Sequence, residues 1–461
     1  MTGEGRTVPD IDVAALLDGA RVGRTLILTL LVCGLAAMID GFDTQSVSFV
    51  APVIAHDWGV SSASLGVVFS GGLLGIMVGQ FLFSPLADRF GRKWLIIAGT
   101  LLFGLVTLAT AWAPNAQVLL AMRFIGGIGL GGVTPNLIAL TAEYSPRRLR
   151  ATLITVMFAG FPLGAVFGGS LAARIIPVHG WTGVFIAGGF APLALIPVLV
   201  LWLPESVRYL VAVGAPEARV HSILDRIAPG RDRGESECYV QPEARLSGLS
   251  VRRLFAPDLA LTTLLLWVAF FASLLMTFVL ISWLPTLLKQ AGLSINTAIL
   301  SAVVLNLGGA LGGIVLGLAS DRSGAPLPVL VGAYLVAGLA ILSIGLIGSH
   351  GGLLMAAIFL AGFCTLGGQT ALNAAAAGFY PTQVRATGVG YALGVGRLGS
   401  IVGPLLAGLV IAANWTSVAL FAASAAPSLA AAVALSALVV VRRKSGESPA
   451  MGLAAAPAIA P

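Results

Sequence analysis

The sequence predicts an all-α membrane protein with twelve transmembrane helices, arranged as two pseudo-symmetric bundles of six. Hydrophobic residues make up 57% of the chain and charged residues only 10%, with a mean hydropathy of +0.98. Soluble domains do not have this composition. The apolar residues fall into runs of about 20, the length of helix that crosses the hydrocarbon core of a bilayer. Short motifs at the ends of these runs recur at a nearly constant offset, which indicates a duplication.

The apolar runs are separated by short charged turns or turns that contain Pro and Gly. They lack the strict alternation of a membrane β-barrel. The 58 glycines are frequent enough to allow close contact between helices in lipid. In chain order, the predicted spans are residues 25–54, 64–86, 94–112, 117–142, 151–176, 184–203, 259–288, 297–319, 327–348, 351–377, 387–412 and 418–441.

Basic residues are distributed unequally between the two sides of the predicted bundle. Of 26 Lys and Arg, 22 fall on the side that holds both termini, while Arg174 and Lys289 lie on the opposite side. By the positive-inside rule we expect a multi-pass protein of the cell (inner) membrane with both termini in the cytoplasm. This asymmetry explains the formal net charge of +7, so we expect no nucleic-acid partner. Cys33, Cys238 and Cys364 lack the spacing of a metal site or a disulfide framework.

Two loop motifs occur twice. Asp88-Arg89-Phe-Gly91, after the second span, recurs after the eighth span as 321–324, an offset of 233. Residues 146–152 and 381–387, after the fourth and tenth spans, differ by 235. Parallel repeats of this kind form a binding site between them near the bilayer midplane. The predicted organisation is a cytoplasmic segment 1–24, a six-helix bundle 25–203, a central cytoplasmic loop 204–258, a second bundle 259–441 and a disordered tail 442–461.

Asp40 and Asp43 lie about halfway along the first span. An ionised side chain at that depth costs roughly 2.5–3.5 kcal/mol, so acids within membrane spans are usually functional. Their i, i+3 spacing puts both carboxylates on one helix face, where repulsion between two negative charges favours uptake of a proton. We therefore predict a proton-coupling pair. The alternative is that Asp40 caps a helix broken near Gly41 and that Asp43 is held in a structural salt bridge.

Arg397 lies eleven residues into the eleventh span, roughly 16 Å deep at 1.5 Å per residue. No acidic residue occurs between Asp321 and Glu447, so the second repeat offers this cation no carboxylate within the membrane. An unpaired buried cation is costly, and a substrate carboxylate would relieve that cost. We predict that Arg397 binds substrate.

Several motifs resemble those of a known family. Residues 84–93 resemble the loop signature of the major facilitator superfamily, with Ser84 where Gly is usual, and residues 317–324 resemble a weaker copy. Residues 123–129 are similar to its fourth-span motif. Within that superfamily, four further segments look like those of the aromatic acid:proton symporters: residues 40–43, 134–136, 143–146 and 204–210.

The resemblance implies the major facilitator fold and a secondary active symporter. Such a protein imports an aromatic or related organic acid by alternating access, with the proton gradient as its energy source and with no cofactor or metal. The resemblance also implies that Arg123 belongs to the site of Asp40 and Asp43, where its guanidinium could hold a carboxylate. A permanent structural partnership between Arg123 and Asp43 remains equally open.

Other polar and aromatic residues within the spans are candidates for substrate contacts. Gln369 and Asn373, spaced i, i+4 in the tenth span, and Asn306 in the eighth could bond a ring hydroxyl. Hydrogen bonds between helices are the commoner use of such amides. Phe278 in the seventh span could stack on an aromatic ring, although aromatic residues more usually face lipid or the bundle core.

The cytoplasmic loop motifs are predicted to form a conformational gate. Charged contacts among neighbouring helix ends would exist in one conformation and break in the other. The basic residues also serve to keep these loops inside. The predicted gate residues are Asp88, Arg89, Gly91, Arg92, Glu143, Asp321 and Arg322.

Two other functions fit parts of the sequence. A sugar or other organic-anion porter is possible because residues 204–210 also resemble a sugar-porter motif, but Arg123 and Arg397 favour an anion. A membrane acid sensor would signal through residues 204–258, which contain no recognisable output domain. The sequence has no nucleophile–His pair, metal cluster or nucleotide motif, so an enzyme is not expected. The expected partners are a small carboxylate, protons and the lipid bilayer, and we expect a monomer.

Overall fold

The structure, a computed structural model, describes residues 10–12, 23–146, 149–227, 238–240, 254–257, 259–347, 351–376, 379–380 and 385–444. Two short strands, β1 (Asp10–Asp12) and β2 (Cys238–Val240), pair in parallel. The helices of these ranges are α1 (Arg24–Trp58), α2 (Ser62–Phe90), α3 (Arg92–Thr110), α4 (Ala116–Tyr144), α5 (Arg150–Phe158), α6 (Gly160–Trp202), α7 (Val207–Ala212), α8 (Glu217–Ile227), α9 (Ala260–Gln290), α10 (Ile295–Ser323), α11 (Pro326–Ile347), α12 (Gly351–Ala376), α13 (Arg385–Ala412) and α14 (Ser417–Lys444).

The helices account for the predicted membrane crossings. Eleven segments of the described chain are long and apolar enough to span a bilayer, and one of them, Thr152–Trp202, has 51 residues. At ~1.5 Å per residue this segment is more than twice as long as the ~30 Å hydrocarbon core. It crosses twice because α6 is interrupted at Gly180, where φ is 66° and ψ is −170°. Glycine tolerates this conformation because it has no Cβ. The eleven segments therefore contain the twelve predicted crossings.

The first six crossings and the last six share one packing arrangement. Helix α10 begins and ends 233 residues after α2. A Cβ on Gly75 of α2 would overlap the carbonyl oxygen of Phe124 in α4, and a Cβ on Gly308 of α10 would overlap that of Phe359 in α12. Small residues allow this close backbone approach in membranes. We call helices α1–α6 the first set and α9–α14 the second set.

Short elements outside the spans lie at one face of the bundle, which we call the loop face; the opposite face, at the α1–α2 turn, is the far face. Helix α8 buries Val220 and Leu224 in a cluster with α1 and α7, as expected of an amphipathic helix. Residues 238–240 fall within the predicted central loop 204–258 and form β2, which pairs with β1. Helix α14 continues past the expected boundary at residue 441, to Lys444.

The two sets meet near the far face. The Ser70 hydroxyl of α2 donates a hydrogen bond of 2.7 Å to the carbonyl oxygen of Ile401 in α13. The rings of Phe69 and Trp283 lie edge to face, with centroids 5.2 Å apart. Ser70 and Ile401 join α2 to α13, and Phe69 and Trp283 join α2 to α9. All four residues lie in the halves of these helices nearer the far face, so the two sets are held together on that side.

Candidate functional site

Asp40 is a buried carboxylate held by two hydroxyl groups. Helix α1 continues without a break through Gly41, so Asp40 does not cap a broken helix. Gly41 allows close approach of α6, because a Cβ there would overlap the backbone of Phe161. The Thr44 hydroxyl donates to Asp40 Oδ1 at 3.1 Å, and the Thr134 hydroxyl donates to Oδ2. With 4% of its surface exposed, Asp40 lies where the sequence predicts an intramembrane acid.

Asp43 forms a buried ion pair with Arg123. Arg123 Nη1 lies 3.4 Å from both carboxylate oxygens, and the exposed fractions of the two residues are 3% and 6%. The Thr107 hydroxyl donates to Asp43 Oδ1 at 2.6 Å. Arg123 Nη2 donates to the hydroxyls of Thr107 and Thr110, and the guanidinium lies 5.2 Å from the ring centroid of Phe185. In this conformation Asp43 and Arg123 therefore neutralise each other.

A cavity between the two sets brings several predicted residues together. Asp43 and Arg123 contribute from α1 and α4, and Phe278 contributes from α9. The cavity wall thus contains an acid, a cation and an aromatic ring from three different helices. The remaining lining residues are Thr44, Val47, Ser48, Val68, Phe69, Gly72, Leu73, Ile76, Gly127, Leu130, Ile281 and Ser282.

Arg397 lies on the face of α13 that is directed towards the first set. Ile401, one turn further along that face, accepts the hydrogen bond from Ser70. The rotation of α13 is set by its contact with α9, where a Cβ on Gly399 would overlap the α9 backbone. Arg397 interacts electrostatically with Asp40, but no carboxylate of the described residues lies within ion-pair distance. Among these residues, its guanidinium therefore forms no ion pair.

The predicted amides are hydrogen-bonded to other amides. Asn306 and Gln45 form a reciprocal pair across the two sets, with N–O distances of 2.9 and 2.8 Å, and both are fully buried. In this conformation Asn306 therefore connects helices. Gln369 donates from Nε2 to Asn373 Oδ1 at 2.8 Å, while its own Oε1 is buried without a partner among the described atoms. Asn373 is exposed.

One predicted gate contact is present at the loop face. Arg92, at the start of α3, forms an ion pair with Glu143 near the end of α4. Glu143 also accepts a hydrogen bond from the Ser206 hydroxyl. This arrangement joins the ends of α3 and α4 to the segment before α7.

The other predicted gate residues are less connected in the part of the chain that the structure describes. The Arg89 and Arg322 side chains are exposed, and the Arg89 guanidinium lies 5.4 Å from the ring centroid of Phe90. The side chains of Asp88 and Asp321 lie outside the description. The gate role of these residues remains a prediction.

Glu205 is a loop-face residue that the sequence analysis did not single out. Its Oε1 accepts hydrogen bonds from the backbone N–H groups of Arg92 and Lys93 at 2.9 and 3.1 Å, the first residues of α3. A carboxylate there satisfies donors at the helix N-terminus and complements the helix dipole. Gly91 makes room for it, with φ at 89° and no Cβ to meet Glu205. The sequence did contain a signal for this residue, because Glu205 lies within segment 204–210, which resembles a motif of the aromatic acid:proton symporters.

Four further residues of the site were not singled out from the sequence, although one of them, Thr134, lies within segment 134–136. Thr107, Thr110 and Thr134 hold the two acids and Arg123, while Gln45 pairs with Asn306. Threonine in an apolar span often bonds only to its own helix, as Thr110 also does. Its position in a sequence therefore does not reveal a partner on another helix.

Two related sets of membrane-spanning helices around a cavity with buried charges are the architecture of many membrane transporters. The family model of the Major Facilitator Superfamily matches residues 33–348 and 266–460, and the chain belongs to that superfamily. It is therefore a multi-pass transport protein and not an enzyme, as the sequence predicted.

Similar proteins carry the names of aromatic acid transporters. The chain is 41% identical to the gallate transporter of Pseudomonas putida, over 92% of this chain and 94% of that protein. It is 38% identical to the 4-hydroxybenzoate transporter PcaK of Acinetobacter baylyi, over 92% and 93%. It is 37% identical to the 3-(3-hydroxy-phenyl)propionate transporter of Escherichia coli, over 92% and 96%. These matches confirm the resemblance to the aromatic acid symporters.

Solved structures confirm the fold. The xylose transporter XylE of E. coli, in a partially occluded inward-open conformation, matches with a TM-score of 0.67 and 17% identity, over 90% of this chain and 98% of that one. A bacterial homologue of the lysosomal transporter Spinster, inward-facing and occupied, matches with a TM-score of 0.64 and 20% identity, over 92% and 96%.

Proposed function

We propose that this protein is a proton-coupled symporter that imports an aromatic or related organic acid by alternating access. The observation that carries the proposal is Arg397, a cation within the membrane that forms no ion pair with a described residue and interacts electrostatically with Asp40. A substrate carboxylate would supply the missing charge and bind the guanidinium through two parallel hydrogen bonds. The named substrates of the relatives, all aromatic acids, support this assignment.

The Asp43–Arg123 pair suggests how proton and substrate are coupled. When Asp43 takes up a proton, it loses the charge that holds Arg123. The guanidinium is then free to attract the incoming carboxylate on its way to Arg397, so the structural and functional interpretations of Arg123 describe two steps of one cycle. Asp40 serves as the second proton site, and the hydroxyls of Thr44 and Thr134 steady its carboxylate.

The arrangement of the two sets supports an inward-facing state. Ser70 and Phe69 hold the sets together near the far face, which we assign to the outside. The loop face then lies in the cytoplasm with both termini, and the protein lies in the inner membrane as a monomer. The Arg92–Glu143 contact and the other predicted gate residues would rearrange when the bundles 25–203 and 259–441 rock past each other.

Uptake into proteoliposomes tests the proposal. A pH gradient, inside alkaline, should drive accumulation of a radiolabelled aromatic acid in sodium-free buffer, with glucose as the negative control. A protonophore should abolish accumulation. Asp40→Asn should also abolish it, while Asp40→Glu should retain part of it because a titratable carboxyl remains. Concentrative uptake that survives the protonophore would contradict proton coupling, and uptake of glucose instead of the acids would favour the sugar porter.

A further inference from the structure

The Asp40 site has a counterpart in the second set. Helices α1 and α9 each contain an internal proline, Pro52 and Pro285, at an offset of 233. This is also the offset between α2 and α10. By the same offset, Ser273 occupies in the second set the position that Asp40 occupies in the first.

The two hydroxyl donors to Asp40 have counterparts as well. Thr277 stands 233 residues after Thr44. Helices α4 and α12 correspond at an offset of 235, which relates Phe124 to Phe359 in the matching glycine contacts. The same offset relates Thr134 to Gln369. The repeat therefore predicts that Ser273, Thr277 and Gln369 approach one another as the residues of the Asp40 site do.

The two clusters differ in their hydrogen bonds. In the first set, both threonine hydroxyls bond to the carboxylate of Asp40. In the second set, the shorter Ser273 side chain is bonded to the Tyr334 hydroxyl at 2.7 Å. Thr277 Oγ1 and Gln369 Oε1 are consequently left without partners among the described atoms. These two residues are only 4% and 8% exposed, and buried polar atoms almost always have a partner.

We propose that Thr277 and Gln369 form a subsite for a ring hydroxyl of the transported acid, an inference that rests on the proposed function. A phenolic O–H can donate to Gln369 Oε1 while its oxygen accepts from the Thr277 hydroxyl. A carboxylate cannot satisfy both, because it offers no proton to the Gln369 oxygen. An apolar ring edge would leave both atoms unpaired.

The surroundings of Gln369 leave its carbonyl oxygen as the group available to the ligand. Asn373 holds Gln369 Nε2 at 2.8 Å and is itself exposed, one turn closer to the loop face. With the carboxylate at Arg397 and the hydroxyl at this subsite, the preferred ligands are hydroxylated aromatic acids. Unsubstituted ones should bind less tightly.

Binding of benzoate, 3-hydroxybenzoate and 4-hydroxybenzoate to the purified protein in lipid nanodiscs tests the inference. At least one hydroxybenzoate should bind the parent about tenfold more tightly than benzoate, as expected for the gain of one to two hydrogen bonds. Thr277→Val, which replaces the hydroxyl by a methyl of the same shape, should reduce that ratio to about one, mainly by weakening the binding of the hydroxybenzoate. Gln369→Leu should do the same.

Two controls separate hydrogen bonding from general damage. Thr277→Ser keeps the hydroxyl and should keep the preference. Thr286→Val removes another buried hydroxyl without a partner among the described atoms of α9, closer to the far face, and should leave the ratio unchanged. Equal losses for benzoate and the hydroxybenzoates in Thr277→Val and Gln369→Leu, or a preference that persists in both, would overturn the subsite. Failure of all three acids to bind the parent would instead refute the proposed function, and the subsite with it.

Discussion

The Asp43–Arg123 pair allows a test that separates proton coupling from a purely structural role. Arg123→Gln removes the guanidinium and leaves the Asp43 carboxylate almost fully buried, with Thr107 as its remaining donor. Breaking a buried ion pair by removing one partner costs about 3–5 kcal/mol. The lost hydrogen bonds from Arg123 Nη2 to Thr107 and Thr110 are included in that range. We therefore expect the single variant to be destabilised by at least ~3 kcal/mol.

The double variant Asp43→Asn with Arg123→Gln removes both charges and leaves two amides that can bond each other. Without an uncompensated charge, we expect most of the lost stability to return, to within ~1–2 kcal/mol of the parent. Unfolding by increasing SDS in mixed micelles measures these differences. Arg174→Gln is the matched control, because Arg174 is exposed near the far face and its replacement should change stability by less than ~0.5 kcal/mol.

Transport by the same variants decides the role of Asp43. If Asp43 carries a proton, the double variant should fold but fail to accumulate acid against a gradient. Accumulation at the parental level would reduce both residues to a scaffold. If Arg123→Gln alone proves as stable as the parent, the energetic argument from burial is wrong.

Three further predictions follow from individual contacts. Arg397→Lys keeps the charge but loses the two parallel hydrogen bonds of the guanidinium, so it should bind the acid more weakly than the parent, and Arg397→Ala more weakly still. If the two variants lost equal affinity for the acid and for its neutral amide analogue, Arg397 would have a folding role instead. Gln45→Leu removes two hydrogen bonds between the two sets and leaves the Asn306 amide without its partner, so the sets should separate more often at the far face. The rate at which cysteines at the far face are labelled should rise about tenfold or more, and an unchanged rate would contradict this. Glu205→Gln should lower stability by ~1–2 kcal/mol through loss of the charged cap on α3, and an unchanged unfolding midpoint would refute that assignment.

The sequence alone was sufficient for the fold class, the repeat and the superfamily. Apolar runs of membrane length and their charge asymmetry are local properties of the chain, and the bilayer allows few structures other than helices. Charged residues within those runs stand out for the same reason. Asp40, Asp43, Arg123 and Arg397 were therefore identified before any partner was known. The Gly180 break also falls between the predicted fifth and sixth spans.

The pairing of these residues was decided by the tertiary structure. Arg123 lies 80 residues from Asp43, and Asn306 lies 261 residues from Gln45. Whether two such side chains meet depends on the rotation of each helix about its axis and on the depth at which the helices cross. Close contacts such as that of Gly75 with the Phe124 backbone set both. Hydropathy reports which residues lie in the membrane, whereas only the packing of backbones through glycines selects which of them touch.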